Sequence, residues 1–283
     1  MTFQGVPLSL SHRFSVDVEE HFHVNAFEPF IDRADWASQP SRVESSTDLL
    51  LDLLARHGAT GTFFVVGWLA DRKPDLVRRI AAAGHEIASH SWWHRRVPTL
   101  TPAEFREDVA RTKARLEDIT GQPVCGFRAP SFSILPGMDW AFDVLLETGH
   151  TYDSSVFPIR RPGYGWPGAP THPFDIIRPG GTLREYPMTT LDVLGLRIPA
   201  AGGGYLRQFP FSIIRRAFRD RERQGREGMF YVHPWEVDPD QPRVDCGRLT
   251  SIRHYRGLAR TLPRLERLLG EFRFAAVRPA VDS

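Results

Sequence analysis

Asp17 and Glu19 lie two apart in FSVDVEEHFHV (14–24), a stretch whose Phe14, Val16 and Val18 otherwise read as a buried β-strand. Residues i and i+2 of a strand project from the same face, so two carboxylates would stand side by side. An acidic pair at a strand end commonly faces solvent, because carboxylates are rarely buried unless paired. The other reading puts a cation in front of them. ASHSWWHRR (88–96) bears on that choice. His90 and His94 are four apart, and in a helical turn that spacing turns both imidazoles to one side, where they can share a metal. Alone, such a pair is a weak signal. Its placement adds weight: HEIASH reads as a strand, so His90 closes it as Asp17 and Glu19 close theirs. Arg128 in GFRAPSF and His233 in MFYVHPWE hold the same place on two further strands.

In an α/β barrel such strand ends meet at one mouth. Glu19, His90 and His94 would form a two-histidine, one-carboxylate set for a catalytic zinc or similar ion, with positions open to water and substrate. Such an ion polarises a carbonyl and lowers the pKa of a water. Asp17 would take that water's proton, and His233 would give one to a leaving amine. Arg128 would pair with Asp17 and aim it. The target would be an amide or ester carbonyl.

The elements that must position these groups alternate strand with helix. STDLLLDLLARHG (46–58) has helical spacing and a Ser/Thr start; TGTFFVVGWL (60–69) reads as one apolar strand. Residues 73–90 read as helix, Gly84 and strand. TPAEFREDVARTKARLEDITG (101–121) is a helix with Thr101 and Glu104 as capping box, Pro102 at its first position and Gly121 after its last turn. CGFRAPSF, MDWAFDVLLETGH (138–150) and TYDSSVF (151–157) continue the alternation. After 158 the pattern loosens into Pro- and Gly-rich sequence. LREYPMTTL (183–191) offers short strands there, and GGG (202–204) a flexible turn or a close backbone approach. Residues 211–224 read as helix, 228–237 as strand and 272–277 as a last strand. Residues 255–272 read as a helix that Pro263 kinks or splits. The alternation implies a parallel sheet, open or closed into a barrel.

The 283 residues, 41% hydrophobic and 25% charged, are ordinary globular composition with a formal charge of +2. Lys73 and Lys113 are the only lysines, and the densest basic run (215–227) interleaves acids. That is a solvated helix face, not a nucleic-acid footprint. Cys125 and Cys246 build neither a disulfide framework nor a metal knuckle. No apolar run approaches a membrane span. MTFQGVPLSLSHRF lacks the layout of a signal peptide, so a cytoplasmic protein, or one at the inner membrane face, is expected.

Taken in order, SVDVE, SHSWWH (89–94), RAPS (128–131), YDSS (152–155) and YVH (231–233) resemble the motifs of the carbohydrate esterase 4, or NodB-homology, polysaccharide deacetylase family. SVDVEEHFHV, RAPSFS, YDSSVFP and HPWE resemble its exopolysaccharide- and exosortase-associated branch, which carries a C-terminal extension. The resemblance implies an α/β fold: a distorted (β/α) barrel with fewer than eight repeats, one domain over 1–283 with 237–283 as extension. It implies one divalent metal, zinc in first place with nickel or cobalt following similar coordination logic. It implies hydrolysis of N-acetyl groups on amino sugars of an acetylated glycan or lipid-linked precursor. Asp153 then supports the catalytic His233, the backbone N–H of Ser131 is an oxyanion donor, and Tyr231, Trp235 and Phe132 wall the acetyl pocket. The family's adjacent acids are here separated by Val18, so Glu20, His21 and His23 compete with Glu19 as ligand. Trp92 and Trp93 stack on sugars or fill the core. His21 and His23 read better as surface or core contacts. Glu236 orders the mouth or faces water, and RRPGYGWPGAPTHP is a lid or a packed cover.

Two other readings keep these residues. The same site would suit an allantoinase-like opening of a cyclic amide, or an O-acetyl esterase. A carbohydrate-binding protein without catalysis fits less well, because every chemical group of the set is present.

Overall fold

The computed structural model describes residues 10–161 and 163–278. Most of the stretch read for a signal peptide, and the end of the 237–283 extension, lie outside the described residues. Strand β1 (His12–Val18) is buried throughout, apart from the half-buried Arg13. Phe14, Val16 and Val18 pack in one core cluster with Leu50, Leu53 and Leu54 of helix α1 (Val43–Arg56). The alternate residues Ser15 and Asp17 turn to the other side, where both meet Arg128. Helix α1 begins three residues before the Ser/Thr group expected to cap it. Glu20 explains the shift: its Oε2 accepts from the Arg42 backbone N–H at 3.0 Å and so supplies the missing acceptor at the helix start.

The apolar run 60–69 is not one strand. It forms β2 (Thr62–Val65) and then turns into α2 (Gly67–Arg72). Gly67 and Trp68 donate backbone N–H groups to Ser91 O and Trp92 O at 2.9 and 3.0 Å. A Cβ on Gly67 would stand 2.6 Å from the Trp92 ring, so only glycine admits this approach. Then follow α3 (Pro74–Ala82), β3 (Glu86–Ser89) and α4 (Pro102–Thr120), the last with the expected capping box and Gly121 at φ 67°. β4 (Gly126–Phe127), α5 (Asp139–Glu147) and β5 (Tyr152–Asp153) complete the regular alternation. The Pro/Gly-rich region holds two antiparallel pairs: β6 (Phe174–Arg178) with β7 (Gly181–Glu185), and β8 (Thr190–Val193) with β9 (Leu196–Pro199). α6 (Gly203–Gln208), α7 (Phe211–Arg223) and β10 (Met229–Val232) follow. The helical run 255–272 is divided. α8 (Arg248–Tyr255) ends before α9 (Thr261–Glu271), where Pro263 sits in the first turn and removes no helical hydrogen bond. β11 (Phe274–Ala275) adds to β1.

The sheet runs β10-β1-β2-β3-β4-β5-β7-β6, parallel except between β6 and β7. Thr189 N–H donates to Met229 O at 3.3 Å, which brings the chain after β7 back against β10. The result is the expected distorted barrel. One register row passes through Val18, Val65, Ser89, Phe127, Asp153 and Glu185. Glu19, His90 and Arg128 each lie one residue beyond it. Val16 is level with Val232, which places Asp17 level with His233. Among the described residues no helix is long and apolar enough to cross a membrane.

Four further imidazoles outside the cavity lining at this mouth are buried in the fold: His12, His85, His150 and His254. Burial pushes the first three down to about 4 and His254 to about 3. Folded chains therefore resist the protons that unfolded chains accept below pH 6.5. Stability is fully present above 6.5 and falls as pH drops towards 4. Each group contributes on the order of 3 kcal/mol to that loss at 1.36 kcal/mol per pKa unit. Melting curves should show a steep fall in Tm between pH 6.5 and 4; a flat profile there would contradict neutral burial.

Candidate active site

Glu19 leaves β1 at the barrel mouth, and His90 and His94 follow β3. One donor atom from each lies within 4.8 Å of the other two. The segment 90–94 is not the helical turn that its spacing suggested. It is a loop with Ser91 at φ 65° and His94 at φ 50°. Asp108, buried on α4, holds it by accepting from the backbone N–H groups of Trp92 at 2.8 Å and Trp93 at 3.3 Å. The imidazoles still converge, with ring centroids 5.1 Å apart. His90 Nδ1 donates to Arg128 O at 2.8 Å, which leaves Nε2 as the ligand atom. Burial pushes the His90 pKa down to about 4, so it is neutral and able to ligate. Glu19 Oε1 accepts from Trp235 Nε1 at 3.0 Å. Its Oε2 stands 2.7 Å from His94 Nε2 without hydrogen-bond alignment and has no donor; His94 Nδ1 is also buried without a partner. Burial works against charge on Glu19, but the imidazoles of His94 and His233 outweigh it and hold the carboxyl well below its usual range. A buried carboxylate with a free oxygen between two imidazoles is a donor set that a divalent cation fits.

The competing ligands lie elsewhere. Glu20 is occupied by Ser41 and the start of α1. His23 Nδ1 accepts from Glu20 N–H at 3.2 Å, and its ring is packed among Phe22, Trp36 and Trp68, 6.4 Å from that of His94, while the buried His21 packs on Phe22. Trp92 is core, with Arg111 stacked 3.6 Å over its ring, and Trp93 packs beside Trp36.

Arg128 fills the barrel interior and is fully buried. Its Nη1 donates to Asp17 Oδ1 and, at 2.9 Å, to Ser15 Oγ; Nε and Nη2 bind Ser154 O and Oγ at 3.1 and 2.9 Å. Its guanidinium lies 4.1 Å over the Phe64 ring. Asp17 is thus fixed through Oδ1, while Oδ2 stays 3.9 Å from His233 Nε2.

His233 is 19% exposed where Asp17 and Glu19 are 3%, so it can meet a substrate. The structure does not bring Asp153 to it. Asp153 accepts from Ser155 Oγ at 2.6 Å and pairs with Glu185, its register neighbour; burial pushes both carboxyls up, Glu185 furthest. The carboxylate on His233 is Glu236, whose Oε2 accepts from Nδ1 at 2.9 Å while Oε1 takes Arg207 Nε at 3.2 Å. Burial opposes a charge on His233, but Glu19 at 3.6 Å and the Glu236 hydrogen bond push its pKa up to about 9. A cation on Glu19 would remove part of that support and leave Glu236 as the partner. GGG (202–204) makes this possible: a Cβ on Gly203 would meet Glu236 Oε2 at 2.3 Å, and Gly202, at φ 101°, passes equally close to Tyr231.

These groups line a cavity of about 220 Å³ with Ser131, Phe132, Tyr231 and Trp235 among its walls. Trp235 stacks on His233 (4.9 Å, 21°) and reaches Glu19, so it orients chemistry as well as walling the pocket. Three wall residues, Val24, Asn25 and Tyr164, escaped the sequence reading. Asn25, which takes the Ser131 hydroxyl, comes from an aperiodic polar stretch, and Tyr164 comes from the RRPGYGWPGAPTHP segment. Ser91, His94, Ser131 and Phe132 all hold positive φ (50–65°). Such backbone is costly and clusters where geometry serves function.

Residues 35–142 match the family model described as polysaccharide deacetylase, and residues 154–282 match one described as a domain of unknown function (DUF3473). Over 96 residues the chain is 32% identical to a chitooligosaccharide deacetylase of Bradyrhizobium sp., a match covering 34% of this chain and 42% of that protein. The chain thus spans under half the length of that curated relative. A probable polysaccharide deacetylase from Pseudomonas aeruginosa superposes with TM-score 0.57 at 20% identity, over 92% of this chain and 83% of that one. Puue allantoinase gives 0.56 at 18%, over 99% and 94%. Both share the fold.

Proposed function

We propose, for a chain that belongs to the polysaccharide deacetylase family, that it removes N-acetyl groups from amino sugars of a bacterial exopolysaccharide or of its lipid-linked precursor. The observation that carries this reading is one cavity bounded by a metal-fitting triad, a second carboxylate and a partly exposed histidine. A divalent ion held by Glu19, His90 and His94, zinc by the donor set and nickel or cobalt by similar logic, would polarise the acetyl carbonyl and acidify a water.

Asp17, held at Oδ1 by Arg128, accepts the proton of the attacking water through Oδ2. The carbonyl carbon becomes tetrahedral, and the Ser131 N–H is assigned as a donor to the developing oxyanion. His233 Nε2 then gives its proton to the departing sugar amine as the C–N bond breaks, leaving acetate. Phe132, Tyr231 and Trp235 bound the methyl side. We take the chain as one unit, which the His254–Trp235 stack at 4.3 Å supports by tying the described part of the extension, residues 237–278, to the barrel mouth.

Acetate release from a tetramer of N-acetylglucosamine, by zinc-loaded and metal-stripped protein, tests the reaction. Release is expected only with metal. A loaded site that releases none from neutral or anionic N-acetylated oligosaccharides would overturn it.

Glu236, not Asp153, is the positioning residue for His233. Glu236→Gln should lower kcat about 10- to 100-fold with KM little changed, the usual scale for losing an orienting partner. Glu236→Asp should recover part of that, whereas Asp153→Asn should lower Tm and leave kcat of the folded protein near its normal value. The reverse pattern would return the role to Asp153.

A further inference from the structure

Beyond His233 the site opens into a second, larger cavity of about 610 Å³ that shares Tyr164, Tyr231, His233 and Trp235 with the first. Its chemistry differs. The reaction cavity carries two carboxylates and no arginine, so a second anion has no place there. The adjoining cavity is lined by Arg161, Arg207 and Arg253, and its single carboxylate, Glu236, is already engaged by His233 and Arg207. Arg161 and Arg253 are exposed, and neither is ion-paired with an acid among the described residues. Arg253 is held in place by its backbone. Arg207 Nη1 and Gln208 Nε2 both donate to its carbonyl, at 3.4 and 3.3 Å, and so tie the end of α8 to α6. Tyr164 and Tyr205, with hydroxyls 2.8 Å apart, and Phe209 beside them supply flat apolar walls between the cations.

We propose that this cavity is an anion-binding subsite, which selects substrates carrying a carboxylate or phosphate next to the N-acetylated sugar. The inference rests on the deacetylase reading, since the acetyl group must lie in the reaction cavity for its neighbour to reach the arginines. Two sources share the chemistry: a uronate within an acidic glycan, and the pyrophosphate of a carrier-linked sugar. Every lining residue falls within 154–282. That segment therefore acquires a role, the choice of glycan, alongside its contribution of His233.

The test compares wild type with an Arg161→Ala/Arg253→Ala double variant, two exposed positions outside the reaction machinery, with melting temperature as a check on folding. Three probes are used: the neutral N-acetylglucosamine tetramer, a tetrasaccharide alternating N-acetylglucosamine with glucuronate, and uridine diphosphate N-acetylglucosamine. At least one anionic probe should exceed the neutral one in kcat/KM. The double variant should lose about fivefold to tenfold on that probe, the scale of two exposed charge contacts, and under about twofold on the neutral one. About 0.5 M salt should remove the same advantage. Loss on the glucuronate probe alone assigns an acidic glycan; loss on the nucleotide sugar alone assigns a carrier-linked sugar. Equal loss on the neutral probe, or no loss on either anionic one, overturns the subsite. If no probe is deacetylated, calorimetric binding of the two anionic probes decides. Binding weakened in the variant keeps the subsite and overturns the reaction; binding that is absent or unchanged overturns the subsite.

Discussion

Asp17→Asn is expected to lower kcat for acetate release by about 10²- to 10⁴-fold, the span of a lost general base, with metal content unchanged. The substitution keeps shape and removes proton affinity. An amide oxygen can still accept from Arg128 Nη1 and Ser15 lies beside it, so the strand end should stay in place. Glu19, His90 and His94 gain or lose no contact. Metal analysis alongside kinetics separates the two carboxylates: Asp17→Asn should keep the ion, and Glu19→Gln should weaken its binding. Activity of Asp17→Asn within about tenfold of normal would remove Asp17 from the base role.

The largest effect on stability should come from Arg128→Met. Arg128 is the largest fully buried side chain among the described residues and ties β1 to the segment after β5 across the barrel. Removing it strands the Asp17 carboxylate in the interior with Ser15 and Ser154 short of a partner. Breaking a buried pair from one side costs about 3–5 kcal/mol. Unfolding in denaturant should show that loss, and adding Asp17→Asn to the variant should return part of it, because the stranded charge is then gone. Losses that simply add would mean that the two residues do not stabilise each other.

Much of the site was legible because strand ends in a parallel barrel carry their chemistry at a fixed offset. Glu19, His90 and Arg128 each sit one residue past a common register row, and the sequence marks each strand by its apolar run. The caps of α4 were equally local and came out as read. What failed depended on distant partners. His90 and His94 converge without a helix because Asp108, on the next helix, folds their loop. Gly67 turns an apolar run into helix because Trp92 presses on it. Glu20, which looked like a spare ligand, starts α1 from outside that helix. Glu236 was undervalued because the motif named Asp153, and only the fold reveals that Asp153 spends its hydrogen bonds on Ser155 and Glu185. LREYPMTTL marked β7 and the start of β8, but their partners β6 and β9 lay in Pro/Gly-rich sequence with little alternation to mark them.

The split of the site between the two halves of the chain bears on how such proteins diverge. Glu19, just past β1, and His90 and His94, after β3, form the set that would fit a metal ion, and all three lie before residue 95. The histidine, its carboxylate and the arginine-lined wall all come after residue 154. Selection can therefore remodel the arginine-lined wall through changes after residue 154 that spare His233 and Glu236, while the metal-fitting set before residue 95 is untouched. Descendants would differ in that wall before they differed in the metal-fitting set.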